Sequence, residues 1–327
     1  MDRDYVEIVN DRYYNAFPGM AQRPDGVFVV VYRRGVLHAN DKGTIVMRTS
    51  SDLGKTWSSE RPVVSHPKLD LRDPNIVRLG DGTLVVNYFQ YDGDKRSTVA
   101  NGIKIVRSRD GGASWGPPVE VRTGARAATS APVIELPGGD LLLAYYGTFK
   151  GDSHPSAWAV RSVDGGSTWG QRVVIGDGPA HGKPYQEPNL VLLDDGGILA
   201  TIRSDGQAKI IHTSVSGDSG ATWSSPLPRF IGSGTPSVLQ LASGDLVTIY
   251  RSKLSRHFGW PALRISKDGG DTWTADEGEL IIDRVDGPMM YASLLEMADG
   301  GLAVAYGMEY GQSHSEIRFR YVLPGGD

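Results

Sequence analysis

Cysteine is missing from all 327 residues. Disulfides, thiolate metal sites and a Cys nucleophile are therefore excluded. An excess of one charge is missing too: 34 Lys and Arg face 38 Asp and Glu, a net charge of −4, so the footprint of a nucleic-acid binder is absent. No apolar run approaches the ~18 residues of a membrane helix, and no membrane partner is expected. The first residues, Met1 to Glu7, have neither a basic nor an apolar stretch, so the chain as it stands is expected in the cytoplasm, or secreted if a leader was removed. The histidines His66, His154, His212 and His314 lack H-x-x-x-H spacing and no phosphate-binding glycine loop is present, so neither metal nor cofactor is expected. What is abundant is turn chemistry. Gly (42) and Pro (19) together make up about a fifth of the chain, against a background near 12%. At 39% hydrophobic residues the chain can still bury a core.

The glycines are ordered by a repeat. An octapeptide S-x-D-x-G-x-[ST]-W occurs five times, at Ser50–Trp57, Ser108–Trp115, Ser162–Trp169, Ser216–Trp223 and Ser266–Trp273. Its Asp can accept from backbone N–H groups two or three residues on, its Gly can take φ > 0, and its Trp can plug the turn against neighbouring strands. A second motif alternates with it. A Pro or small residue leads an apolar stretch, a Gly turn follows, and an apolar strand then ends in Tyr or Arg, as in Pro18…Tyr32, Pro74…Tyr88, Pro132…Tyr145, Pro188…Arg203, Pro236…Tyr250 and Ser293…Tyr306. Successive copies lie about 48 to 58 residues apart, room for four short antiparallel strands each. The sixth copy lacks the octapeptide, whereas residues 4–11 form a strand without a unit. The expected fold is all-β: one domain, residues 1–327, a six-bladed β-propeller whose N-terminal strand completes the blade of residues 285–324, because an open sheet edge is a liability.

The octapeptide is the Asp-box, and the chain resembles the sialidase superfamily, of BNR-repeat type, over nearly its whole length. The resemblance implies a glycoside hydrolase with a Tyr nucleophile, its partner Glu, an Asp acid/base and three Arg that clamp a substrate carboxylate. Gln186-Glu187-Pro188…Asp195-Gly196…Arg203 is similar to the family segment that carries the Glu and one clamp Arg. Arg203 stands where five other copies place Tyr, counting from Gly197, which marks it as an exception in the repeat. Glu187 is alternatively the ion-pair partner of an Arg, and Arg203 the occupant of a core slot. Tyr291-Ala292-Ser293-Leu294 resembles the nucleophile segment. A phenol with its usual pKa of ~10 needs a base, which the resemblance assigns to Glu187.

The first unit departs from the family pattern. Its Arg-Ile-Pro is here Ala16-Phe17-Pro18, so the first clamp Arg is lost, and the position of the acid/base Asp falls on His38. Imidazole can exchange protons near neutral pH. Asp70-Leu71-Arg72-Asp73-Pro74 offers a replacement Arg72, or contacts to sugar hydroxyls with Asp73, or a self-satisfied ion-pair network. Arg33, in the segment leading to His38, and Arg256, with Arg251 as its competitor, complete the candidate substrate-binding set. The expected function is exo-acting removal of a terminal acidic sugar, a sialic or related ulosonic or uronic acid, from a glycan. The alternatives are a lyase that β-eliminates at a uronate through His and Tyr, and a glycan-binding propeller without catalysis.

Overall fold

A computed structural model describes residues 4–39, 41–92, 102–124, 126–206, 208–254, 259–284 and 287–323. They fall into two compact units, residues 1–120 with 286–327, and residues 121–285. The first contains β1 (Val6–Val9), β2 (Tyr14–Gln22), β3 (Phe28–Gly35), β4 (Thr44–Ser50), β5 (Arg61–Val64), β6 (Asp70–Arg78), β7 (Leu84–Tyr91), β8 (Ile103–Ser108) and β9 (Val119–Val121). The second runs through β10 (Arg126–Ala128), β11 (Ile134–Glu135), β12 (Leu141–Thr148), β13 (Ser156–Ser162), β14 (Arg172–Gly176), the four-residue helix α1 (Gly178–His181), β15 (Gln186–Leu192), β16 (Ile198–Asp205), β17 (Lys209–Ser216), β18 (Leu227–Ile231), β19 (Ser233–Gln240), β20 (Leu246–Arg251), β21 (Pro261–Ser266) and β22 (Leu280–Ile281). The chain then returns to the first unit with β23 (Met289–Glu296), β24 (Leu302–Glu309) and β25 (Ser315–Val322). No helix among the described residues is long and apolar enough to cross a membrane.

Among the described residues the strands form five connected sheets rather than six. Sheets β6-β7-β8-β9, β15-β16-β17-β18 and β19-β20-β21-β22 have four antiparallel strands, and in β10-β12-β13-β14 the short β11 adds a fifth. The largest sheet has eight strands because β2-β3-β4-β5 and β23-β24-β25 are joined by one parallel pair, Tyr14 with Ser315. Beside that parallel pair β25 takes β1 as an antiparallel partner, Val6 opposite Phe319, so the N-terminal strand pairs with the last repeat as expected. The second strand of each repeat is buried on both faces, which is why it reads as an unbroken apolar run rather than an alternation. Val29, Val30, Val31 and Tyr32 in β3 and Leu141, Leu143 and Tyr145 in β12 are all buried.

The five octapeptides fold alike. In the first, Ser50 Oγ donates to Asp52 Oδ1 (2.8 Å) and accepts from Gly54 N (2.9 Å). Asp52 accepts from Thr56 N (2.9 Å) and Thr56 Oγ1 (2.6 Å), four residues on rather than two or three. The glycine is required twice. Gly54 has φ +85°, and a Cβ there would lie 2.2 Å from Phe319 Cε1, so the turn packs flat on the neighbouring strand. Trp57 meets Phe319 at 5.7 Å and Trp223 packs into the cluster of Leu142, Ala159 and Tyr185, as the plugging role requires. Hydrogen bonds from the hydroxyl at the seventh octapeptide position, then from its N–H and from the leading Ser, hold the Asp52, Asp218 and Asp268 carboxyls down to about 2, and those of Asp110 and Asp164 lower still. A carboxyl lowered in the folded state adds stability above its unfolded pKa near ~4 and loses it as pH falls through about 2. The Asp52→Asn protein should accordingly be less stable at pH 7 and lose less on acidification between about pH 4 and 2. Urea midpoints against pH check this, and curves parallel to wild type would contradict it.

Candidate functional site

The first strand of five repeats carries a β-bulge at the segment that the sequence motifs single out. Register shifts fall between Ala16 and Gly19, Arg72 and Asn75, Gln186 and Asn189, Ser233 and Ser237, and Met289 and Ala292. Three of these bulges force a non-glycine residue into the left-handed region: Phe17 (φ 59°), Asp73 (φ 47°) and Glu187 (φ 49°). Each such residue costs about 1–3 kcal/mol, and bulges of this kind re-aim side chains beside active sites.

In the first unit the bulges gather His38, Arg72 and Tyr291 around Phe17. The Tyr291 ring stands edge-on to Phe17 at 4.8 Å, and His38 meets the same ring at 5.9 Å. The Arg72 guanidinium lies over Phe17 at 5.0 Å and donates to the His38 carbonyl (2.7 Å). Arg72 also lies 3.6 Å from Asp70 and 4.0 Å from Asp73, so the expected acid-flanked arginine exists and is mostly buried. Tyr291 remains half-buried, in contrast to the fully buried Tyr32, Tyr88, Tyr145, Tyr250 and Tyr306.

Two residues that no motif marked complete this cluster. Tyr14 Oη lies 2.6 Å from His38 Nδ1 and donates to Glu309 Oε1 at 2.6 Å, while His38 Nδ1 lies 3.0 Å from the same oxygen. Burial first, and then the Glu309 hydrogen bond, push the Tyr14 phenol far above its ordinary range, so it keeps its proton and donates.

Arg33 does not reach this surface, which corrects its reading as a substrate-binding residue. It is 0% exposed, and its Nε donates to Asp70 Oδ1 (2.8 Å) and Nη2 to Asp70 Oδ2 (3.1 Å). It also pairs with Asp41 and donates to the Leu37 carbonyl (2.9 Å). Asp41 in turn accepts from the N–H groups of Val36 and Leu37. Arg33 thus staples the loop that carries His38. Gly35 and Gly43 leave it room, since a Cβ on either would fall within 2.5 Å of its guanidinium.

In the second unit Glu187 and Arg203 pair directly. Arg203 Nη1 donates to both carboxylate oxygens of Glu187 (2.9 and 2.8 Å), and Thr235 Oγ1 donates to Glu187 Oε2 (3.0 Å). Asp205 holds the other edge of the guanidinium through Nε (2.8 Å) and Nη2. Burial opposes the Asp205 charge, but Arg203 and then Lys209 hold its carboxyl below the usual range. The Arg203 register differs from the sequence count. The β-turn closes on Gly196, whose N–H donates to Leu193 O and whose φ is +85°, matching Gly26, Gly82, Gly139, Gly244 and Gly300. Counted from there, Ile202 fills the buried Tyr slot. Arg203 takes the next position, which Arg33 holds in β3 and Arg251 in β20. Arg203 is therefore no exception in a core slot. Burial, and then the charges of Arg251 and Lys209, lower the Lys253 ammonium, against the opposing charge of Asp205. Arg256 lies outside the described residues.

Among the described residues no group of three or more His, Asp or Glu side chains is arranged to hold a metal ion. The BNR repeat-like domain family matches residues 44–231. The chain is 24% identical to a sialidase of Micromonospora viridifaciens over 336 aligned positions, covering 88% of this chain and 49% of that protein, so it spans about half the length of that relative. Among solved structures, a protein of unknown function from Dyadobacter fermentans superposes with a TM-score of 0.82, at 20% identity and 98% coverage of both chains. The α-L-arabinanase of Penicillium chrysogenum complexed with arabinobiose superposes with a TM-score of 0.71, at 16% identity and 97% coverage of both. These likenesses show the β-propeller fold. The chain belongs to the BNR repeat-like family, and with it to the sialidase superfamily.

Proposed function

We propose that the protein is a retaining exo-glycosidase that removes a terminal acidic sugar, and that it forms a single six-bladed propeller. Two of the proteins that it resembles, a sialidase and an arabinanase, are glycoside hydrolases by name, which supports the reaction class. The observation that carries the proposal is the meeting of a half-buried phenol, Tyr291, and an imidazole, His38, at the Phe17 ring. In the first step Tyr291 Oη bonds to the anomeric carbon as the glycosidic C–O bond breaks, and the leaving oxygen takes a proton from His38. In the second, water bonds to that carbon, gives its proton to His38, and releases Tyr291. The resemblance assigns Glu187 to take the phenol proton in the first step and return it in the second, and Arg203 to hold the carboxylate; Arg72 stands in for the clamp Arg that the first repeat lacks. A phenol suits an anionic sugar because a carboxylate nucleophile would be repelled by the substrate.

The test is a panel of chromogenic glycosides of sialic, other ulosonic and uronic acids with wild type and His38→Ala. Wild type is expected to cleave an acidic member, and His38→Ala to do so roughly 10²- to 10⁴-fold more slowly. Equal rates in the two proteins, or cleavage of neutral glycosides alone, would overturn the reading. An imidazole in place of a carboxylic acid also suits proton abstraction next to a uronate carboxylate. Ultraviolet absorbance from a new conjugated C=C bond identifies that lyase reaction, because hydrolysis creates none.

A further inference from the structure

The geometry points to Glu309 and Tyr14 as positioning residues that fix the His38 imidazole with its proton on Nδ1, leaving Nε2 to exchange protons with the substrate. This deepens the proposed role of His38 and rests on it. Three heteroatoms meet here: Tyr14 Oη, Glu309 Oε1 and His38 Nδ1, at mutual distances of 2.6, 2.6 and 3.0 Å. The phenol supplies one proton, and the carboxylate, as the anion of the set, is its best acceptor. A bare Nδ1 would then put its lone pair against the carboxylate and the phenol oxygen together. With Nδ1–H both contacts become hydrogen bonds, and the lone pair of the neutral ring is on Nε2.

The remaining groups around His38 fit a fixed orientation. Its N–H donates to the Gln312 carbonyl (2.8 Å), and its own carbonyl accepts from the Arg72 guanidinium of β6. Phe17 and Tyr14 both meet the ring edge-on, and Met290 Sδ lies 3.0 Å from Tyr14 Oη. Arg33 and Asp41 anchor the preceding turn. Yet the His38 side chain stays 33% exposed, so the ring is held on one side and open on another. A carboxylate that fixes one ring nitrogen so that the other can work is the arrangement of a carboxylate–imidazole dyad.

The experiment uses the full chain labelled with ¹⁵N-histidine, read by long-range ¹H–¹⁵N spectra at a pH where the His38 ring is neutral. Its signals are assigned by their loss in His38→Gln. Wild type is expected to show the Nδ1–H tautomer. Glu309→Gln, whose amide can donate to Nδ1, is expected to shift the ring toward Nε2–H. It should also lower kcat on the best acidic glycoside by on the order of 10²-fold with little change in KM, and Glu309→Asp should restore much of both. An Nε2–H ring in wild type, or a Glu309→Gln protein whose tautomer is unchanged, overturns the inference. If Glu309→Gln does not fold, the wild-type tautomer decides by itself. If no glycoside is turned over, the hydrolase reading fails, while the tautomer still decides the positioning role.

Discussion

Tyr291→Phe is expected to turn over acidic glycosides roughly 10³- to 10⁶-fold more slowly than wild type, with KM almost unchanged. The substitution deletes only the hydroxyl. The ring, its 4.8 Å edge contact with Phe17 and its packing against Tyr14, Ala16 and Met290 remain, so folding and binding should survive. A residue that merely walled the site would tolerate the change. The split between kcat and KM therefore separates nucleophile from contact, and a variant within tenfold of wild type would remove Tyr291 from the chemistry.

The second large effect is on stability. Arg33→Met is expected to cost about 3–5 kcal/mol, a large share of the ~5–15 kcal/mol that holds a typical domain folded. The side chain is fully buried, and its loss leaves Asp70, itself 2% exposed, without its bidentate partner. Burial already pushes the Asp70 carboxyl upward, and the Arg33 hydrogen bonds and charge oppose that push. Replacing both partners, Arg33→Met with Asp70→Leu, should recover part of the loss, because Asp70 is then no longer a buried charge without its bidentate partner, while Asp41 still loses Arg33. Urea unfolding of the three proteins gives the result, and a single-variant loss below about 1 kcal/mol would show that the pair is dispensable. The single variant should also lose activity at temperatures where it remains folded, since Arg33 holds the turn before His38 through the Leu37 carbonyl.

The strands and turns were legible in the sequence because their determinants are local and repeated. A Ser, an Asp and a Gly within five residues build each Asp-box, and the apolar run after each Gly turn is long enough to mark a buried strand. The candidate site was legible only in part. Glu187 and Arg203 were found as a pair, but the double glycine Gly196-Gly197 misplaced the Arg by one position, because only the left-handed φ of Gly196 identifies the turn. His38 and Tyr291 were found by likeness to the family, whereas Tyr14 and Glu309 were not found at all. They lie 295 residues apart, each in an ordinary strand position, and only the pairing of β2 with β25 brings their repeats together. The bulges hide for a related reason. A residue before Pro favours extended backbone, so Phe17, Asp73 and Glu187 read as plain strand until their φ angles are seen.

The central claim is that Tyr291 bonds to the sugar. Peptide mass spectrometry after incubation with a 2,3-difluorinated acidic sugar, slow to leave once bound, tests it most directly. The account predicts a single glycosyl adduct on the peptide containing Tyr291, absent in Tyr291→Phe. Turnover of acidic glycosides with no adduct at Tyr291, or with an unsaturated sugar as the product, would contradict it.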